Sequence, residues 1–525
     1  MRLDELTAGL ALEATGDLGV QIAGLAYDSR AVGSGELFFC VSGFQRDGHE
    51  FAPQALRAGA AALVVERRLE LGVPEVLVGS ARAAMAPIAA RFYGDPTSQL
   101  RVVGITGTNG KTTTAYLVRA LLEQAMGEQC GLLGTVTSIV GGQERETDRR
   151  STGSPIGQRT TPEAIDLQAV FRAMLDGGDG ACAIEVSSHA LELGRADATR
   201  FAAAIFTNLT QDHLDFHDTM EDYFLAKRRL FAEHRPAHSV INIGDPYGAR
   251  LAAEIDGAIT FAVQASGAER LAADYLAEDL RFDFTGAGFD LRTASGVRKV
   301  RLPMPGRFNV ANALGALAAA HALGGELEAL LGALEGGVRV PGRFEPVEEG
   351  QDFAVLVDYA HTPDSLQNVL EAARALIVAG RDEAGGEQAP SGADARNGGA
   401  GRVLCVFGAG GDRDRGKRPL MGEIAARLAD MTFVTSDNPR SEDPEQIIAE
   451  IMAGVARVPA QPLVRSVADR AIAIDEAIGA ARAGDVLVIA GKGHEQGQEF
   501  AGGRKVPFDD VTVARKALRL HRGRS

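Results

Sequence analysis

Short, almost unbroken apolar runs alternate along this chain with longer stretches rich in Ala and Leu. Runs such as Ala62-Leu63-Val64-Val65, Val102-Val103-Gly104-Ile105-Thr106 and Leu404-Cys405-Val406-Phe407 read as strands; Asn309 to Leu323 reads as a helix. Their alternation predicts an α/β fold of helices layered on parallel sheets. Three blocks are expected. Residues 1–98 hold the strands Gly35–Val41 and Ala62–Val65 and end in the turn Gly94-Asp95-Pro96-Thr97-Ser98. Residues 99–340 open on Val102–Thr106 and close near Val340-Pro341-Gly342-Arg343. Residues 341–525 begin with Val355-Leu356-Val357-Asp358 and run through three more strand–loop–helix units. Residues 381–402, rich in Gly, Ala, Glu and Asp and without periodicity, are expected to form a flexible surface insertion.

The 525 residues, 45% hydrophobic and 24% charged, suit roughly three domains with their own cores and exclude general disorder. With 70 acidic and 54 basic residues the net charge is −16, and there is no Trp. Both argue against a nucleic-acid binder, which needs a basic field or stacking platforms. Any anionic ligand must be held by local devices. The start, Met1-Arg2-Leu3-Asp4-Glu5-Leu6, lacks a basic region followed by an apolar stretch, and no run approaches the ~18 apolar residues of a membrane span. A cytoplasmic protein without a membrane span is expected. Cys40, Cys130, Cys182 and Cys405 are far apart, form no C-x-x-C pair, and read as reduced core thiols.

Gly107-Thr108-Asn109-Gly110-Lys111-Thr112-Thr113 follows a strand and opens a helix. Glycines there let backbone N–H groups turn onto phosphate oxygens, and the helix presents its positive end. Lys111 would neutralise the β/γ-phosphates of a nucleoside triphosphate and Thr112 would ligate Mg²⁺; a GTPase, a kinase or a motor could each carry such a loop. Ile105 stands where the strict motif has its first glycine. Two further strand ends, Glu185-Val186-Ser187-Ser188-His189 and Thr207 to Asp215, should emerge beside this loop. Glu185 and His213 then suit Mg²⁺ ligation, although Asp212 and His213 equally suit capping the next helix.

At this point the chain resembles the Mur ligase family, and within it the diaminopimelate-adding members. The residues carrying the resemblance are Gly104 to Thr113, Thr160-Thr161-Pro162, Glu185 to Leu191, and Thr207 to Asp215. They continue through Pro305-Gly306-Arg307-Phe308-Asn309-Val310, Asp358-Tyr359-Ala360-His361-Thr362-Pro363, Gly410-Gly411-Asp412-Arg413-Asp414 and Asp437-Asn438-Pro439-Arg440. The match spans the chain. It implies an N-terminal UDP-binding domain, a central P-loop ATPase-type domain and a C-terminal Rossmann-like domain for the incoming amino acid. The implied reaction is ATP-dependent amide ligation of meso-diaminopimelate to UDP-N-acetylmuramoyl-L-alanyl-D-glutamate through an acyl phosphate. It serves cytoplasmic peptidoglycan precursor synthesis, uses two Mg²⁺ ions, and is carried out by a monomer.

The family's positions carry over residue by residue. Ser29 matches the uridine contact; Thr160, Thr161, Ser187 and Arg195 match contacts to the UDP-sugar-peptide. Leu193 departs from the family's frequent glutamine. Lys227 matches a lysine carbamylated by CO₂, whose new carboxylate ligates the second Mg²⁺ as the ammonium cannot. Asn309 matches the adenine-side contact; Arg343 and Asp358 match nucleotide contacts at the junction of the last two blocks.

In the last block, loops at Asp358–His361, Gly408–Asp414, Ser436–Arg440 and Gly491–Glu495 each follow an apolar strand and should converge. They bring Arg413, Asp437, Asn438, Pro439, Arg440, Gly491, Lys492, His494 and Glu495. Diaminopimelate carries a carboxylate beside an ammonium at its far end. An arginine fork can hold the former while Glu495 or Asp437 faces the latter. The resemblance ties Asp-Asn-Pro-Arg to diaminopimelate and makes Arg440 the specificity residue; an ordinary turn, with Asp437 capping a helix, is the plain alternative. Addition of L-lysine, a folylpolyglutamate-synthetase-like activity and a non-catalytic P-loop ATP-binding regulator are the competing readings. Arg440, the first block and the joint presence of Lys111, Glu185, His213, Lys227 and Arg440 argue against them.

Overall fold

Strand Ala62–Val65, buried along its whole length, lies in the middle of a five-stranded sheet. Glu36–Phe39 and Gly24–Ala26 flank it on one side, Glu75–Leu77 and the antiparallel Glu13–Thr15 on the other. The computed structural model describes residues 1–43, 46–145, 160–265, 267, 269–383, 401–459 and 463–522. Helix Ala81–Phe92 covers one face of this sheet through Ala84, Met85 and Ile88. Ala164 and Ile165 of the next unit join the same core, and Tyr27 Oη donates to Asp166 Oδ2 at 2.6 Å.

Arg101–Thr106 is an interior strand of an eleven-stranded sheet, next to its middle strand Phe201–Phe206. Its side chains alternate: Val103 and Ile105 meet helices Lys111–Met126 and Arg307–Ala322, whereas Val102 meets Ala164–Asp176 and Met220–Ala232 on the other face. Burial on both faces explains why the strand is apolar throughout. Gly104 is required there, because a Cβ would come within 2.8 Å of the Phe201 ring. Neighbouring strands Phe201–Phe206 and Ala181–Glu185 run parallel to it, and Cys130–Leu133 lies beyond Ala181–Glu185. The chain therefore turns in opposite directions beside Arg101–Thr106, which opens a crevice at the carboxyl ends of these strands.

Residues 345–490 form a six-stranded sheet in the order Glu345–Pro346, Ala354–Asp358, Val486–Ala490, Val403–Phe407, Met431–Val434 and Leu463–Ser466. All neighbours are parallel except the first pair. The α/β fold class expected from the alternation is the one observed.

Several details differ from expectation. The sheet edges at Gly286–Thr293 and Gly296–Leu302, and the hairpin Gly497–Phe500/Arg504–Pro507, are half-exposed antiparallel elements with weak apolar patterns. Arg381–Glu383 continue the helix Pro363–Glu383, and Arg402 N donates to Asp485 Oδ1 at 2.7 Å, so both ends of the expected insertion are ordered. Its residues 384–400 lie outside the described residues. All four cysteines are buried and free. Among the described residues no helix is long and apolar enough to cross a membrane.

Candidate active site

The glycine-rich turn joins Arg101–Thr106 to helix Lys111–Met126. Gly107 has φ +149° and Gly110 φ +85°. A Cβ on Gly110 would lie 2.2 Å from Asn312 Oδ1, and one on Gly107 would lie 1.9 Å from Thr207 Oγ1. Both positions demand glycine for backbone and for space. Lys111 folds back over the turn, donating from Nζ to the carbonyls of Gly107 at 2.9 Å and Thr108 at 2.7 Å. Burial lowers its pKa from the ordinary lysine value.

Glu185 ends the adjacent strand and gathers donors. Thr112 Oγ1 and Thr135 N reach its Oε1 at 2.9 Å, and Thr135 Oγ1 reaches Oε2 at 3.1 Å. Arg343 Nη2 in turn donates to Thr112 Oγ1 at 3.1 Å, linking the last unit to the turn. Lys227 is fully buried; its Nζ donates to Gly107 O at 2.8 Å and lies 4.6 Å from the Tyr223 ring centre. Burial, with help from Lys111, pushes its pKa well below the ordinary lysine value.

His213 adopts φ +54°, with its ring 5.0 Å from that of His189. Burial keeps its imidazole neutral. Burial alone would raise Asp212, but His213, Lys417 and His361 around it hold its carboxyl low. Neither residue caps the following helix: that helix starts at Met220 and is capped by Thr219. Among the described residues no three His, Cys, Asp or Glu side chains cluster as a complete metal site. Thr112, Glu185 and His213 are nevertheless hard or neutral donors suited to a Mg²⁺ that also takes phosphate and water oxygens.

A cavity beside the turn is lined by Asn109, Gly110, Phe308, Asn312, Arg343 and Asp358, among others. Asn309 does not line it; its Nδ2 donates to Pro305 O at 2.7 Å, and Asn312, one turn further along the helix, takes the cavity position. Asp358 is buried, its two oxygens accepting from Phe344 N at 2.7 Å and Ala360 N at 2.8 Å; burial raises its pKa. The last two units touch across this cavity: Asn109 Nδ2 donates to Asp364 Oδ2 at 2.8 Å.

Thr160, Thr161, Ser187 and Arg195 come together beside Glu185. Thr161 Oγ1 donates to Glu185 O at 2.9 Å and accepts from Ser187 N at 3.1 Å; Thr135 Oγ1 meets Thr160 Oγ1 at 3.3 Å. Arg195 Nε pairs with Glu163 Oε1 at 3.0 Å. Leu193, at the end of the short helix Ser188–Glu192, is partly buried. Ser29 belongs to the first unit, where its hydroxyl donates to Gln54 Oε1 at 3.3 Å.

In the last unit, the expected loops do meet. Lys492 Nζ donates to Glu495 Oε2 at 2.9 Å, Asn438 Oδ1 at 3.0 Å and Asp437 Oδ1 at 3.4 Å. Gly491, at φ +116°, donates from N to Asp358 O at 3.1 Å. Arg440 adopts φ +52° and is held by Glu499 Oε2 at 3.1 Å and Gly411 O at 2.6 Å. Pro439 O accepts from Glu442 N at 3.0 Å. Arg413 remains exposed, and among the described residues its side chain bonds locally, to Asp412 O at 2.9 Å. Asp437 caps no helix, since the next one begins at Pro444 with Asp443 as its cap. Tyr359 bridges the two regions: the Arg343 guanidinium stacks 4.7 Å above its ring, and its hydroxyl donates to Glu495 Oε1 at 3.4 Å.

Thr135 and Asn312 were not reached from sequence. Thr135 had one usable signal, its place just past the carboxyl end of strand Cys130–Leu133. Asn312 had none beyond lying one helical turn from Asn309.

The chain is similar to known proteins along most of its length. The Mur ligase middle domain matches residues 105–320, the Mur ligase glutamate ligase domain residues 342–390 and 387–493, and the Mur ligase family catalytic domain residues 21–93. The chain is 43% identical over 528 residues to the UDP-N-acetylmuramoyl-L-alanyl-D-glutamate--2,6-diaminopimelate ligase of Syntrophomonas wolfei, covering 99% of both. It is 45% identical to the protein of the same name from Geobacillus kaustophilus, covering 95% of both. A solved structure of a ligase of that name aligns with TM-score 0.66 and 31% identity, covering 99% of both chains.

Proposed function

The chain belongs to the Mur ligase family, and on that premise we propose that it joins meso-diaminopimelate to UDP-N-acetylmuramoyl-L-alanyl-D-glutamate at the expense of ATP. It acts as an acid–amino-acid ligase in the cytoplasm, as a monomer. Residues 1–98 take the uridine nucleotide, 99–340 take ATP, and 341–525 bring the amino acid. One observation carries the reading: the phosphate-type turn and the Asp437–Arg440 loop are joined through Thr112, Arg343, Tyr359 and Glu495.

The chemistry follows from these positions. ATP fills the cavity beside Asn312 and Asp358, with its phosphates on the Gly107–Thr113 turn. Lys111 exchanges its two carbonyl partners for phosphate oxygens, and Arg343 adds a second cation. Thr160, Thr161, Ser187 and Arg195 orient the D-glutamyl carboxylate, which attacks the γ-phosphorus and releases ADP. Asp437, Asn438, Arg440 and Glu495 hold the far-end carboxylate and ammonium of diaminopimelate; its other amino group, as the neutral amine, attacks the acyl carbon, gives up a proton, and phosphate leaves as the amide forms. Thr112, Glu185 and His213 would hold one Mg²⁺, and Lys227, once carbamylated, a second. Bound there, Mg²⁺ neutralises charge on the transferring phosphoryl group. The residues fit this use: Glu185 offers acceptor oxygens, His213 a neutral ring, and Lys227 an amine whose burial favours the neutral form that attacks CO₂. The Asn109–Asp364 contact holds the last unit against the ATP cavity, and closure there would keep water from the acyl phosphate.

The test is ADP release by purified protein. Sustained turnover should require all three substrates together; absence of ADP with ATP, Mg²⁺, the UDP-dipeptide and diaminopimelate present would reject the reading.

A further inference from the structure

Lys492 is completely buried at the carboxyl end of strand Val486–Ala490. An ammonium has three N–H donors and no acceptor. Here they meet acceptors on two loops: Glu495 Oε2 at 2.9 Å, Asn438 Oδ1 at 3.0 Å and Asp437 Oδ1 at 3.4 Å. Asn438 is fixed a second time, its Nδ2 donating to Glu495 Oε2 at 2.8 Å and its Oδ1 accepting from Glu499 N at 3.0 Å. Glu499 in turn holds Arg440 Nε at 3.1 Å. Lys492 thus stands behind both the acidic corner and the arginine beside it.

Charge points the same way. Asp437 and Glu495 share one corner, and without a cation between them two like charges would repel. Lys492 offsets one of them and leaves one negative charge over. The neighbouring Arg470 also attracts Asp437 and Glu495, but it forks onto Asp510 at 2.8 and 2.7 Å, both fully buried, and that pair adds no net charge. One uncompensated carboxylate is the complement of one incoming ammonium. Asp437 is buried, and among the described residues its Oδ2 accepts no hydrogen bond, which leaves one carboxylate oxygen for that ammonium.

We propose that Lys492 is a positioning residue for the incoming amino acid, holding Asp437, Asn438 and Glu495 in the single arrangement that accepts its ammonium. The inference rests on the diaminopimelate-ligase reading above, and Lys492 touches no reacting atom in it.

The test is steady-state kinetics on the full chain, with each substrate varied in turn, for the wild type, Lys492→Gln and Lys492→Arg. Lys492→Gln is expected to raise KM for diaminopimelate about 30-fold, the scale of losing a hydrogen bond between charged groups. KM for ATP and for the UDP-dipeptide should stay within about twofold. Lys492→Arg keeps the charge but not the fit and should show a smaller rise, about fivefold, again confined to diaminopimelate. If Lys492→Gln does not fold, Lys492→Arg decides by the same criterion. An unchanged diaminopimelate KM, or equal deterioration of all three KM values, overturns the proposal while leaving the reading intact. A wild type that forms no amide from diaminopimelate overturns both.

Discussion

Lys111 and Lys227 donate to the same oxygen, the carbonyl of Gly107, at 2.9 and 2.8 Å. Two lysines on one carbonyl in a buried place disfavour having both protonated, and burial lowers both pKa values. Among the described residues Lys227 has no carboxylate within ion-pair distance, and burial shifts its balance toward the neutral amine.

A neutral buried amine predicts sensitivity to CO₂ with a definite sign. Carbamate forms from the unprotonated amine, so falling pH protonates Lys227 and removes it. Activity should drop at mildly acid pH and be restored in part by bicarbonate, and Lys227→Arg should show no such restoration. Labelled bicarbonate should give a carbamate ¹³C signal in the wild type that the variant lacks; an identical spectrum in both would contradict this.

Arg440 is already aimed by its partners Glu499 and Gly411. Arg440→Ala should raise KM for diaminopimelate by about 10- to 100-fold, the range of hydrogen bonds to charged groups, with KM for ATP unchanged. Initial-rate kinetics with each substrate varied separately measures this.

Arg343 touches Thr112 and stacks on Tyr359, so it joins the phosphate turn to the amino-acid loops. A lysine has neither the planar fork nor the stacking face. Arg343→Lys should lower kcat by about tenfold or more, the scale of one charged hydrogen bond, while the overall fold, read by circular dichroism, stays the same.

Much of this site was legible in the sequence because strand ends carry the chemistry. Glu185, His213, Asp358 and Asp437 each follow an apolar run, and parallel sheets bring such ends to one edge. The strand Arg101–Thr106 announced itself because burial on both faces makes it apolar throughout. Lys227 carried no local signal: it lies on a helix with charged neighbours Arg228 and Arg229, and only packing against Gly107 and Tyr223 distinguishes it. Asn309 and Asn312 were indistinguishable by pattern, since which amide faces the cavity depends on the helix's rotation against the sheet. The edge hairpin Gly286–Leu302 leaves little trace in the sequence because half-exposed strands dilute the apolar pattern.

Arg470 and Asp510 offer a stability test away from the chemistry. Both side chains are fully buried and paired at 2.7 Å. Asp510→Ala leaves an uncompensated guanidinium in the core and should cost about 3–5 kcal/mol. The expected readout is an earlier urea midpoint; an unchanged midpoint would show that the pair contributes nothing.

The most direct test of the central claim is a competition between meso-diaminopimelate and L-lysine for the UDP-dipeptide with ATP and Mg²⁺, read by product mass. The arrangement of Arg440, Asp437 and Glu495 predicts that the diaminopimelate amide dominates even when lysine is in excess. A product containing lysine as the main species, or ATP hydrolysis without any amide, would contradict it.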